Sequence, residues 1–138
     1  MDSFWKDKEK KQIDPELFSS RAEDLARKVF AEASSTVNNH TQLRKFYDEV
    51  VRFGSIAKTD PGDFERTLPY LKMLNAKAAY AMGRKLISKS FKDFISESLG
   101  QVTDRYDFEA FAGLFESFMG YYKYYDKGGE GANRGGGR

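Results

Sequence analysis

Residues 104–125 read DRYDFEAFAGLFESFMGYYKYY. Phe108, Phe111, Leu114, Phe115, Phe118, Met119, Tyr122 and Tyr125 recur there at the i, i+3, i+4 spacing. That spacing stacks side chains on one side of an α-helix. A stripe this broad and aromatic is the buried face of a core helix. A stacking platform for nucleic-acid bases is the other use of such a stripe, and a core helix needs no partner to explain it.

The same period organises the segments before it. Asp14-Pro15 opens a first helix, because Asp caps and Pro fits the first helical position. Phe18, Ala22, Leu25, Val29 and Ala33 form its stripe, and Ser34-Ser35-Thr36 ends it. Asn39 with Gln42 three residues on is a capping box. Leu43, Phe46, Tyr47, Val50 and Val51 follow, and Gly54 weakens the end of that helix. Asp60-Pro61-Gly62-Asp63 is a loop. Pro69 cannot sit inside a helix without losing a hydrogen bond, so a short helix to Leu68 precedes a longer one with Pro69 in its first turn. Ser90 caps a short helix carrying Phe91, Phe94, Ile95 and Leu99, which Gly100 ends. The expected fold is an all-α bundle of five helices, near 14–34, 40–57, 63–87 (interrupted around Pro69), 90–99 and 104–125. Residues 1–13 are charged and weakly periodic, and a flexible end is expected; Phe4 and Trp5 are its exceptions, able to dock on the body or on a partner. The bundle spans 14–126, and the Gly-rich run KGGEGANRGGGR at 127–138 is expected to be a disordered tail. Its arginines among glycines resemble RNA-binding Arg-Gly segments, and a plain linker has the same composition.

Composition excludes several classes. The chain has 138 residues, no cysteine and a single histidine, His40. Disulfides, thiolate metal sites and His pairs are therefore impossible. No GxSxG elbow and no GxxxxGK[ST] loop occurs, and the tail glycines follow no strand. Carboxylates are scattered, although two converging in space can bind a divalent cation. No apolar run approaches the roughly 20 residues that span a bilayer. The first residues, MDSFWKDKEKK, carry charges where a signal peptide has an apolar core. A cytoplasmic, non-catalytic protein without cofactor is the expectation.

The charges are unevenly placed. Net charge is only +2, yet residues 42–92 hold eleven bases against five acids, and residues 93–126 hold two bases against seven acids. The run from Arg66 to Lys92 has seven bases (Arg66, Lys72, Lys77, Arg84, Lys85, Lys89 and Lys92) and no acid. Leu68, Leu71, Leu74, Ala78, Ala81, Met82 and Leu86 thread through it at helical steps. An amphipathic helix with a one-sign outer face suits a polyanion; a solvated face without a partner has the same pattern.

Two local signatures carry a resemblance. Thr41-Gln42-Leu43-Arg44-Lys45-Phe46-Tyr47 is followed by Leu71-Lys72-Met73-Leu74 and Ala79-Tyr80-Ala81-Met82-Gly83-Arg84. In this order, in a small helical chain with a Phe- and Tyr-rich helix near its end, they resemble the small subunit of type III-A CRISPR (Csm) effector complexes. The resemblance covers about 36–125. It implies a non-catalytic subunit whose copies stack into a short filament beside the guide-RNA backbone subunit. It also implies a large polymerase-like subunit as partner, guide RNA and target RNA in the groove, and no membrane. Base pairing reads sequence in such a system, so the protein needs only charge and shape. Motif position then makes Arg44, Lys45 and Arg84 candidates for contacts to the nucleic-acid backbone. Lys77 lies seven residues before Arg84 and faces the same way on a continuous helix, and Lys85 and Arg52 complete the set. Ion pairs of these residues with Asp48 or Glu49 are the structural alternative. A stand-alone helical nucleic-acid-binding or adaptor domain and a small metal-dependent nuclease are the other two classes the sequence leaves open.

Overall fold

Helix α6 (Arg105–Asp126) is the mast of the fold. The computed structural model describes residues 1–127; the Gly-rich run expected as a tail lies outside them from residue 128 on. Asp104 caps α6 by accepting a hydrogen bond from the Asp107 backbone N–H. All eight apolar residues of its expected stripe are buried. Around α6 pack α1 (Ser20–Ala31), α2 (His40–Thr59) and α5 (Lys89–Gln101). Two shorter helices, α3 (Phe64–Lys72) and α4 (Leu74–Gly83), complete the bundle, and α4 packs on α5. The fold is all-α, with the third of five helical units broken in two.

The core is a ladder of aromatic rings. Phe94 meets Phe115 edge-on at 5.1 Å between centroids, Phe46 meets Phe91 at 5.4 Å, and Phe118 lies 5.5 Å from Tyr122. Edge-to-face and tilted pairs of this kind add to plain apolar burial. The buried phenols also find partners: Tyr125 donates to Glu23 at 2.7 Å and accepts from Arg27 at 2.9 Å, which ties α1 to the end of α6.

Asn38 ties the loops together. It is fully buried, with φ of 58°. Its side-chain amide donates to the Val29 carbonyl at 3.1 Å and to Ser88 Oγ at 2.8 Å, and its Oδ1 accepts from the Ser88 backbone N–H at 2.9 Å. Its backbone N–H donates to the Leu86 carbonyl, and its carbonyl accepts from the Tyr122 hydroxyl. A buried loop is stable only with this kind of full accounting.

Several boundaries differ from the sequence expectation. The first helix starts at Ser20, not Asp14. Asp14 instead caps a turn, accepting from the Glu16 N–H at 2.9 Å and pairing with Arg21 at 2.8 Å. This turn buries Leu17 and leaves Phe18 40% exposed. Pro69 sits inside α3, which tolerates the one missing donor. The break falls at Met73, whose N–H reaches back only to Tyr70. The α4 helix stops at Gly83 rather than near Ile87, through a Schellman turn. There the Leu86 N–H bonds the Ala81 carbonyl, the Lys85 N–H bonds that of Met82, and Lys85 takes φ of 60°. A Cβ on Gly83 would meet nothing within 4 Å, so that glycine serves no close helix contact. Ser88, not Ser90, stands at the N-cap of α5, and α5 runs through Gly100 to Gln101. Val51, placed on the stripe of α2, is half exposed, at an open cleft between α2 and α6.

The first thirteen residues are the largest difference. They form an antiparallel hairpin, β1 (Trp5–Asp7) with β2 (Gln12–Ile13), docked on the start of α6. Phe4 is fully buried and its N–H donates to Gln101. Trp5 Nε1 and Lys8 Nζ reach Asp107 at 2.8 and 2.9 Å. Low hydrophobicity suggested a loose end, but two aromatic anchors and one buried carboxylate hold it. Burial opposes the charge of Asp107. Hydrogen bonds from Thr103, Lys8 and Trp5 outweigh that and hold its pKa down at about 2.

Candidate nucleic-acid interface

The two sequence signatures meet at one groove. Signature one lies on the first turns of α2 and signature two runs along α3 and α4. Between α2 and α4 runs an open groove of about 640 Å³ lined by Gln42, Lys45, Glu49, Lys77 and Tyr80, with Phe46, Leu74 and Leu86 at its floor. Helical geometry explains the selection. On α2 the core takes Leu43, Phe46, Val50 and Phe53. Residues 42, 45, 49 and 52 fall on the flank beside that stripe, facing α4. On α4 the core takes Leu74, Ala78 and Ala81. Met73, Lys77, Tyr80 and Arg84 recur at steps of four, three and four and form the adjoining exposed flank.

Five of the six candidate cations gather around this groove. Lys45 lines it and forms no ion pair among the described residues. Lys77 crosses it to reach Glu49 Oε1 at 3.0 Å. Arg52 holds the same carboxylate from within α2 at 3.2 Å. The hydrogen bonds from Arg52 and then Lys77 hold the Glu49 carboxyl at about 2, far below its ordinary value. Arg84 donates to the Tyr80 hydroxyl at 2.8 Å, with its guanidinium carbon 5.7 Å from the ring centroid. Lys85 is exposed at the Schellman turn, next to Leu86 of the groove floor. Arg44 stands apart. It is one residue, hence about 100° of helix, from Lys45, and it pairs with Asp48 on the outer face of α2 at 3.5 Å. The pair is more than half exposed on both sides, so it contributes at most about 1 kcal/mol and leaves Arg44 available.

The lining thus presents Lys45 and Lys77 against one acid among the described residues, Glu49, while Arg52 and Arg84 stand beside it, bonded to the lining residues Glu49 and Tyr80. The ion-pair alternative is realised for Arg44, Arg52 and Lys77, but all three pairs are solvent-facing, and Glu49 cannot neutralise both of its partners. Two groove residues were not among the sequence candidates for contact: Glu49 entered only as an ion-pair partner, and Tyr80 only within the second signature. Among the described residues Glu49 is the only acid in the lining, and Tyr80 presents a ring that is 65% exposed. The step pattern Met73, Lys77, Tyr80, Arg84, displaced from the apolar set, was the signal for the second.

Among the described residues no three His, Asp or Glu side chains cluster as a metal site, and no helix is long and apolar enough to cross a membrane.

The family model described as Csm2 Type III-A matches residues 12–128. The chain belongs to the Csm2 type III-A family. It is therefore a small subunit of a type III-A CRISPR complex, one structural member among the other Csm subunits. The Csm2 match takes in β2 and all six helices, and so both walls of the groove and all six candidate cations. No curated protein and no solved structure matches the chain.

Proposed function

We propose that this Csm2 subunit is non-catalytic and holds the sugar–phosphate backbone of the target RNA, or of the guide–target pair, along the α2–α4 groove. Copies repeat along the strand beside the guide-RNA backbone subunit and the large polymerase-like subunit. The observation that carries the reading is the convergence of both signatures on one groove, with Lys45 and Lys77 in its lining and Arg52 and Arg84 bonded to lining residues. Phosphate contacts position a strand without reading it, and base pairing to the guide supplies sequence. A single copy offers only these few cations, so its own affinity falls in the non-specific range of about 10⁻⁴ to 10⁻⁶ M. Repetition raises the effective concentration of each following contact.

The test is a salt titration of target binding by the assembled complex, with wild type and with the Lys45→Ala, Lys77→Ala, Arg84→Ala triple variant, on two unrelated target sequences. Loss of three phosphate contacts per subunit should lower the log–log salt slope by about 2 for each copy in the complex. Both targets should respond alike, and circular dichroism should be unchanged because all three side chains are exposed. Equal slopes for the two proteins would refute the groove as the binding face.

A further inference from the structure

We infer that Tyr80 is a base-stacking residue, so that the strand in the α2–α4 groove is single-stranded at this point and lays one unpaired base on the Tyr80 ring. The inference rests on the groove reading above and adds to it the state of the nucleic acid and the residue that selects it.

Three observations converge. First, Tyr80 is 65% exposed although it stands in a groove lining, and no other aromatic ring covers it among the described residues. Most of the chain's rings are instead packed against one another in the core. Second, the ring is held in place. Arg84 donates to its hydroxyl at 2.8 Å from one helical turn away, so the phenol is anchored at its far end. A ring fixed before binding loses little entropy when a partner arrives. Third, the ring stands among cations: Lys77 precedes it by less than one turn of α4, and Lys45 faces it across the groove. Cations that track phosphates, with an exposed ring between them, are the chemistry of single-strand recognition. A continuous duplex offers no base face to a side chain at its surface. The apolar groove floor of Phe46, Leu74 and Leu86 suits a base and not a phosphate.

Tyr70 is the internal control. It is 64% exposed on α3, yet it does not line the groove.

The experiment is a coupling cycle in the assembled complex. Target RNAs identical except for one abasic nucleotide, moved position by position, are bound by wild type, Tyr80→Leu, Tyr80→Phe and Tyr70→Leu. The loss of guide pairing at an abasic position is common to all four proteins and cancels in the comparison. At positions of one register, the abasic penalty should be about tenfold smaller with Tyr80→Leu than with wild type. Tyr70→Leu leaves the groove intact and should match wild type, and Tyr80→Phe, which keeps the ring but loses the Arg84 anchor, should keep an abasic penalty closer to wild type than to Tyr80→Leu. Tyr80→Leu should leave the salt slope unchanged. Equal abasic penalties in wild type and Tyr80→Leu at every position would overturn the inference. That failure is distinct from failure of the groove reading, which appears as an unchanged salt slope in the triple cation variant.

Discussion

Replacing Asn38 by Ala removes three side-chain hydrogen bonds at once, and the structure says which of them costs. Val29 O keeps a second donor, the Glu32 N–H at 3.1 Å, and Ser88 Oγ keeps Glu32 as a neighbour. The Ser88 N–H at the head of α5 has only Asn38 Oδ1. Leaving such a donor unmet in a part-buried site costs about 1–3 kcal/mol. Alanine must also adopt the left-handed φ of 58° that Asn tolerates, which adds about 1 kcal/mol. The expected loss for Asn38→Ala is therefore about 2–4 kcal/mol, a large share of a stability of about 5–15 kcal/mol. Asn38→Gly loses the same bonds without the backbone strain, so it should be about 1 kcal/mol milder. Urea unfolding followed by far-UV circular dichroism measures both. An Asn38→Ala midpoint equal to wild type would refute the account of Asn38 as the loop tie. Equal losses in the Ala and Gly variants would remove the strain from it.

Lys85→Gly should stabilise the chain by about 0.5–1 kcal/mol in the same assay, because glycine takes the Schellman position without steric cost. Asp107 has its folded pKa lowered from 3.8 to about 2, so its contribution is complete above the unfolded value and is lost as pH falls through about 2. That contribution is worth roughly 2 kcal/mol. Trp5, the single tryptophan, should report release of the hairpin by a red shift in emission on acidification, and Asp107→Ala should give the shift at neutral pH. Glu49→Gln removes the only acid of the groove lining and frees Lys77 and Arg52, so target affinity of the complex should rise; a fall would count against a polyanion in the groove.

What was legible in the sequence was what local patterns encode. The Asn39–Gln42 pair marks the start of α2, because capping is a contact between residues three apart. The stripe of α6 is long enough that its period alone identifies a buried face. The N-terminal hairpin was not legible, because what fixes it lies about a hundred residues away: Trp5 on Asp107 and Phe4 on Gln101. The end of α4 was hidden for another reason. Its left-handed position holds Lys85 instead of the usual glycine, so the sequence carries no stop signal there. For the groove, the charged segments were legible in the sequence but their convergence was not. Only the structure separates Lys45 from its neighbour Arg44 and shows that Glu49 is shared.

The most direct measurement of the central claim is photocrosslinking of target RNA carrying 4-thiouridine to the assembled type III-A complex, with the crosslinked residues of this subunit mapped by mass spectrometry. The account predicts crosslinks on the walls of the α2–α4 groove, at Gln42, Lys45, Lys77, Tyr80 and Arg84. Crosslinks confined to the acidic surface of α5 and α6, or to the N-terminal hairpin, would contradict it.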